Sequence, residues 1–315
     1  MKPAEFHIDA ALTNFAVELG VGGPFVADKI YPRVPVKKES DKYWVYESPE
    51  LRDDVDAHRA AGDQATAIDW GGTTATYSCE EYALRRLLSD RAKGNSDNPV
   101  LLEQQTVRKL MHKIRMGIEK RIKTVVMDTS IITNNASPSV KWDAASGTIT
   151  IEKDIDTAKE AVAIACGNEP NVILIPPACA TAVKRDSTIR ELVKYTQTNL
   201  LVDGGLPPVL FGLNVIVPGA IENTANPAAT ISLARIWSTD NVLVAYVDPN
   251  ANVDTYTLGV QFWAKMLAEQ VDEIVALWRY REESRHGEWF EAGVLVDECL
   301  VSASCGYLID DVLTA

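Results

Sequence analysis

One apolar stripe dominates the chain. Between Asn98 and Asp128, Val107, Met111, Ile114, Ile118, Ile122 and Val125 recur at steps of four, three, four, four and three, with Leu110 beside them. That spacing keeps one face of a single helix apolar for five turns. Asn98 is placed to accept the first free amide protons, and Pro99 has its φ pre-set for the first helical position. At 1.5 Å per residue a helix over 98–128 spans roughly 45 Å, enough to cross a whole domain. It reads as a spine.

Upstream, the pattern is poorer in core formers. Residues 1–36 carry a weak amphipathic segment (Phe6, Ile8, Leu12, Phe15, Leu19), then Gly20, Gly22, Gly23, Pro24, Pro32 and Pro35. Such punctuation resists compact folding and predicts an extended arm that lies on something else, such as a neighbouring subunit. From 37 to 90 two strands enclose a polar tip. Tyr43, Trp44, Val45 and Tyr46 go out, and Thr73, Thr74, Thr76 and Tyr77 return. Asp53, Asp54, Asp56, Asp63 and Asp69 crowd the tip. A long hairpin with so little to bury should find its stabilising contacts outside its own domain, the alternative being a mobile surface flap. Its candidate intersubunit residues are Trp44, Tyr46, Asp53, Asp54, Asp56, Arg59 and Trp70. A short segment with Tyr82, Leu84, Leu87 and Leu88 then leads to the helix.

Beyond the helix, 130–147 is polar and turn-rich, with Trp142 as its anchor. Helix and strand alternate from 155 to 250: helices over 155–166, 176–183 and 187–195, strands over 171–175, 213–217, 231–237 and 242–247. The remainder is β-rich, with strands over 256–263 and 274–280, a turn at 284–287 and a return over 289–301. A sheet of that length needs a cover, and the helix stripe is the candidate. The expected architecture is α+β: an arm (1–36), a hairpin with its return segment (37–90), one domain built from 91–154 and 251–315 around the spine helix, and an inserted α/β domain (155–250).

Charge sharpens this picture. The 315 residues are 46% hydrophobic and 24% charged, enough for a full core, and the formal net charge is −13. An acidic chain of this kind argues against tight, sequence-specific duplex binding. The helix is the local exception, with seven basic residues between Arg108 and Lys123 against the single acid Glu119. Its face of Arg108, Lys109, Lys113, Lys120 and Lys123 is either a solvated helix surface or one turned toward polyanion. Arg121 projects near the apolar stripe and is expected to snorkel or to meet a carboxylate from another segment. No apolar run reaches 18 residues, and residues 1–10 lack a signal-peptide pattern. Five cysteines without a C-x-x-C pair fit reduced, packed thiols.

Candidate chemistry is sparse. Gly20-Val-Gly-Gly-Pro24 imitates the start of a dinucleotide fingerprint, but it follows a helical pattern and Pro24 removes an amide that phosphate would need. Asp54, Asp56 and His58 alternate like a calcium loop, yet Arg59 and Ala65 stand where its turn glycine and bidentate acid belong. The four histidines are far apart, and Cys79 and Cys166 read as buried structural thiols rather than nucleophiles. No catalytic, cofactor-binding or metal-ligating residue is assigned, and an enzyme is not expected.

The order of arm, long hairpin, long helix, inserted α/β unit and returning strands resembles the major capsid protein of tailed bacteriophages over nearly the whole chain. The segments that carry the resemblance are Tyr77-Ser-Cys-Glu-Glu-Tyr82, Pro170-Asn-Val-Ile-Leu-Ile-Pro176, Leu210-Phe-Gly-Leu-Asn-Val-Ile-Val-Pro218, Arg235-Ile-Trp237 and Cys305-Gly-Tyr-Leu-Ile309. The resemblance implies a peripheral domain on the spine helix, an axial domain near five-fold and six-fold axes, and a hairpin lapping a neighbour. Function would be self-assembly of pentamers and hexamers into an icosahedral shell around double-stranded DNA, with no active site and with the basic helix face looking inward. It also implies assembly in the host cytoplasm, portal and decoration proteins as partners, and a separate scaffold, since some 36 residues before the hairpin are too few for a scaffolding segment. The hairpin lysine through which some relatives crosslink has no match among Lys37, Lys38 and Lys42. Other readings are a cellular nanocompartment shell of related fold, a phage tail or adhesion module, and a small-molecule enzyme.

Overall fold

The computed structural model describes residues 7–8, 25–45, 58, 62, 64, 73–144, 150–196, 205–226, 230–264 and 275–314. In chain order, β1 (His7–Ile8), α1 (Ala27–Ile30), β2 (Arg33–Val36), β3 (Ser40–Val45), β4 (Thr73–Ser78) and β5 (Glu80–Ser89) lead to α2 (Asp90–Gly94) and α3 (Pro99–Val126). Then come β6 (Asn135–Ala136), α4 (Ile151–Cys166), β7 (Val172–Leu174), α5 (Pro177–Arg185), α6 (Ser187–Thr196), β8 (Val209–Leu210), β9 (Leu213–Ile216), β10 (Ile221–Asn223), β11 (Leu233–Arg235) and β12 (Val242–Ala245). The chain finishes with β13 (Gly259–Ala264), β14 (Val275–Glu282), β15 (Gly287–Leu300) and β16 (Gly306–Ile309).

The spine forms as its sequence dictates. Asn98 accepts from the Leu101 amide at 3.1 Å, Pro99 takes the first helical position, and Val107, Leu110, Met111, Ile114, Ile118 and Ile122 are buried. At the far end Val126 is buried and Val125 only half-buried, a shift of the stripe by one residue as the helix closes. The covered surface is β15 and its neighbour β5. β15 is the axis of the first sheet. One edge pairs with β5 along 287–296; the other pairs with β14 along 287–294 and with β13 along 295–300. β5 is a full ten-residue strand where the sequence suggested a short segment. Only Leu88 in it is buried, and the polar pair Arg85-Arg86 hid the alternation.

The second sheet has the order β6-β16-β12-β7-β9-β8 and carries α4 against β12 and β16. β12 pairs antiparallel with β7 and with β16, so Gly306–Ile309 joins the strands of 155–250 although the sequence grouped it with the helix domain. All four of its residues are buried, the mark of a central strand covered on both faces rather than of a half-exposed one.

The N-terminal segment departs from expectation. Where the sequence suggests an arm lying elsewhere through residue 36, residues 25–36 pack into the chain's own core. Ile30 and Tyr31 are fully buried, and β2 adds to β13 as a parallel edge strand. Glycines and prolines masked six buried apolar residues: Val26, Ala27, Ile30 and Tyr31 join the core that holds the α3 stripe, and Val34 and Val36 pack with Tyr77, Val260 and Phe262 in a second cluster. The Tyr31 ring lies over Gly259, where a Cβ would collide with it. β3 and β4 pair from Ser40↔Ser78 to Val45↔Thr73, as the hairpin reading requires. Their root is anchored on the chain's own sheet, with the Tyr77 ring stacked on Phe262 at 4.5 Å and Tyr43 tilted against it at 5.4 Å.

Candidate assembly surfaces

The charged groups of α3 divide into a buried set and an exposed set. Arg121 behaves as its position demands: its guanidinium meets Glu298 of β15 through two hydrogen bonds of 2.8 and 2.6 Å and lies 3.9 Å from the centre of the Tyr82 ring. Arg115 is buried and donates to Asp28 at 2.5 Å, and Asp28 also accepts from Arg33 at 2.9 and 2.6 Å. Two of the seven basic residues are thus structural, holding α1 and β15 to the spine.

Glu119 is the residue that sequence reasoning undervalued. It is fully buried and accepts from the Trp237 indole at 2.6 Å, the Ala27 amide at 2.9 Å and the Val26 amide at 3.1 Å. One carboxylate therefore ties the N-terminal segment, the spine and the strand region after β11. Burial pushes its pKa up, against the opposing pull of the Trp237, Val26 and Ala27 donors. The signal was available: Glu119 stands four residues after Arg115 and three before Ile122, on the buried face.

The remaining basic groups form a surface. Arg108, Lys109, Lys113 and Lys120 are exposed and Lys123 half-buried. At 3.6 residues per turn these five fall within a roughly 140° arc of the helix. Lys120 is ion-paired with Glu222 of β10. That pair turns the Glu222 side of the β10–β11 hairpin toward the spine. On its other side Ile221 lies opposite Arg235 and Leu233 opposite Asn223, with Ile221 50% and Leu233 70% exposed. This uncovered apolar patch was not singled out in the sequence, although the alternation from Ile231 to Arg235 marks it.

Of the candidate hairpin residues, Trp44 lies on β3 and is 42% exposed. Tyr46, Asp53, Asp54, Asp56, Arg59 and Trp70 lie outside the described residues. Among the described residues no group of three or more His, Cys, Asp and Glu is arranged to hold a metal, and no helix is long and apolar enough to cross a membrane. All five cysteines are free and buried, and burial pushes the Cys79 thiol up to about 11, away from a nucleophile's range. A concavity of about 410 Å³ beside the start of α4 is lined by Thr150, Glu152, Lys153, Asp156, Asp186 and Thr188, with no thiol or imidazole among its walls.

A fold built around a long spine helix, two six-stranded sheets and two two-stranded hairpins is one that known proteins share. A family model for phage capsid proteins matches residues 72–276, well over half of the chain. The chain belongs to the phage capsid protein family. Its function is that of a major capsid protein, and its place is the virion capsid. The major capsid protein of Pseudomonas phage JBD67 aligns over the full length of both chains at 25% identity. Among solved structures, a phage-related protein of Bordetella bronchiseptica superposes with a TM-score of 0.74 at 19% identity, covering 98% of this chain and 99% of that one. The capsid of cyanophage P-SCSP1u superposes at 0.58 and 10% identity, covering 89% and 85%. An encapsulin of Synechococcus elongatus shares the fold at 0.53 and 12% identity, covering 93% and 88%. The phage relatives at the sequence level favour the phage shell over the nanocompartment. The capsid subunit belongs to a family of structural proteins.

Proposed function

We propose that copies of this chain tile into pentamers and hexamers and close an icosahedral shell around double-stranded DNA. The full-length alignment with a phage major capsid protein carries this reading. The apolar patch at Ile221 and Leu233 and the outward face of Trp44 support it, because contiguous exposed apolar surface is stabilised by meeting another copy. In this reading α3 with the β15-centred sheet is the peripheral domain, and the β12-centred sheet is the axial domain, extended to include Asn135–Ala136 and Gly306–Ile309. The hairpin, with Tyr46, Asp53, Asp54, Asp56, Arg59 and Trp70 toward its tip, laps a neighbouring subunit. A scaffold, a portal and decoration proteins are the further partners, and assembly takes place in the host cytoplasm.

The basic face of α3 looks into the shell and touches DNA without reading its sequence. A subunit of net charge −13 grips the genome weakly, which suits a container that must release it. Changing Lys109, Lys113 and Lys123 together to Gln, with Lys120 kept for its bond to Glu222, tests this. We expect normal empty shells that retain less DNA per particle, read from nucleic-acid absorbance across a salt series. Failure of empty-shell assembly would assign these lysines to structure instead.

A further inference from the structure

Cys166 is the last residue of α4, and Cys305 ends the 3-10 turn Ala303–Cys305 that leads into β16. Their sulfurs are 3.1 Å apart and both side chains are buried. A disulfide needs a sulfur separation of about 2.05 Å, so roughly 1 Å of approach separates this thiol pair from a covalent bond. Gly167 closes α4 in the left-handed region with its amide donating to the Ala163 carbonyl at 2.8 Å, and Gly167 to Glu169 are exposed, so the Cys166 end of the helix borders solvent.

We propose that Cys166 and Cys305 are a redox-sensitive pair, reduced where the chain is made and joined as an intrachain disulfide when the assembled shell meets a small peroxide outside the reducing cytosol. Oxidation runs in two balanced steps. The Cys166 thiolate attacks one peroxide oxygen and breaks the O–O bond, giving a sulfenic acid and releasing hydroxide, which takes up the proton that the thiol had lost. The Cys305 thiol then attacks the sulfenic sulfur, its proton leaves with the departing oxygen as water, and the S–S bond forms. Two electrons pass from the thiol pair to the peroxide. Cys166 is the attacking sulfur because it ends α4 beside the exposed Gly167, and the hydrogen bond with Cys305 lowers its thiol below the ordinary cysteine value. The remaining thiols, Cys79, Cys179 and Cys299, are each pushed up, with burial the largest influence on every one.

The bond would span 139 residues and fasten α4 to the strand region that closes the second sheet. Such a link constrains the unfolded chain and resists opening of that sheet, while the reduced pair leaves it free to adjust during assembly. Assembled particles prepared under reducing conditions and then treated with hydrogen peroxide test this. After denaturation in an alkylating agent, mass spectrometry should show the Cys166 and Cys305 peptides joined, the chain lighter by two hydrogen atoms, and Cys79, Cys179 and Cys299 fully alkylated. Dithiothreitol should restore alkylation at all five. The oxidised particles should also melt at a higher temperature, a rise lost in Cys166→Ser. Five alkylated cysteines after peroxide, or Cys166 oxidised past the sulfenic acid with Cys305 still alkylated, would overturn the proposal.

Discussion

Glu119 shows how much a single side chain holds. Both of its oxygens accept, and both directions are used, one by the Trp237 indole and the other by the Ala27 amide. Glu119→Gln keeps the shape but turns an NH2 group toward one of those donors. The expected cost is about 1–3 kcal/mol, the range for a buried donor left without an acceptor. Urea unfolding of the unassembled subunit measures it, and an unchanged midpoint would mean that the carboxylate is not the tie. Glu288 provides the pH dependence. It accepts from Arg279 at 2.6 Å and also from Lys93, which itself reaches Glu103 at 2.6 Å. Burial, the largest influence on Glu288, raises its pKa, but the bonds from Lys93 and Arg279 together outweigh it and leave it lowered. A lowered carboxylate stabilises the fold above its unfolded value of about 4.3, and that stability is lost as the pH falls through the lower folded value. Glu288→Gln should therefore flatten the loss of subunit stability below about pH 4 relative to the native chain. An equal acid slope in both would contradict the assignment.

At the scale of elements, what the sequence disclosed depended on whether one signal acted alone. α3 was legible from its cap to its last turns because Asn98, Pro99 and the stripe agree, and Arg121 was legible because its place beside the stripe demands a carboxylate. The hairpin strands were legible from their β-branched and aromatic residues. Three features were not. The segment 25–36 was masked by prolines and glycines whose conformations suit an arm as well as a packed turn. β5 is a strand in which Leu88 alone is buried while Glu80, Glu81, Arg85 and Arg86 are exposed, so no apolar face marks it, and its partners are distant in sequence, Trp289 lying 4.7 Å from the Arg85 guanidinium. β16 has four buried residues and no periodicity, so only pairing with β12, more than sixty residues earlier, assigns it to its sheet. The hairpin also yields a prediction. Its root is fixed by Tyr43 and Tyr77 on Phe262, so removing residues 53–64 should leave a soluble, folded subunit with an unchanged circular dichroism spectrum. In the lap-joint reading that subunit fails to close shells; normal particles would refute the role.

At the scale of the molecule, the surplus of outward surface and the inward anchoring of the N-terminal segment belong together. The subunit covers part of its own core with residues 25–36, tied by Asp28 to Arg33 and Arg115 and by Glu119 to the backbone. What it leaves outside is a patch at Ile221 and Leu233, an exposed Trp44 and a basic helix face, each more useful between copies or against polyanion than in water. The central claim is that copies close upon one another. Sedimentation velocity of the purified chain, with electron micrographs of the same fractions, tests it most directly. The account predicts capsomer-sized oligomers in equilibrium with closed particles in the megadalton range. A single discrete monomer or dimer at every concentration and salt condition, with no particles in the micrographs, would contradict it.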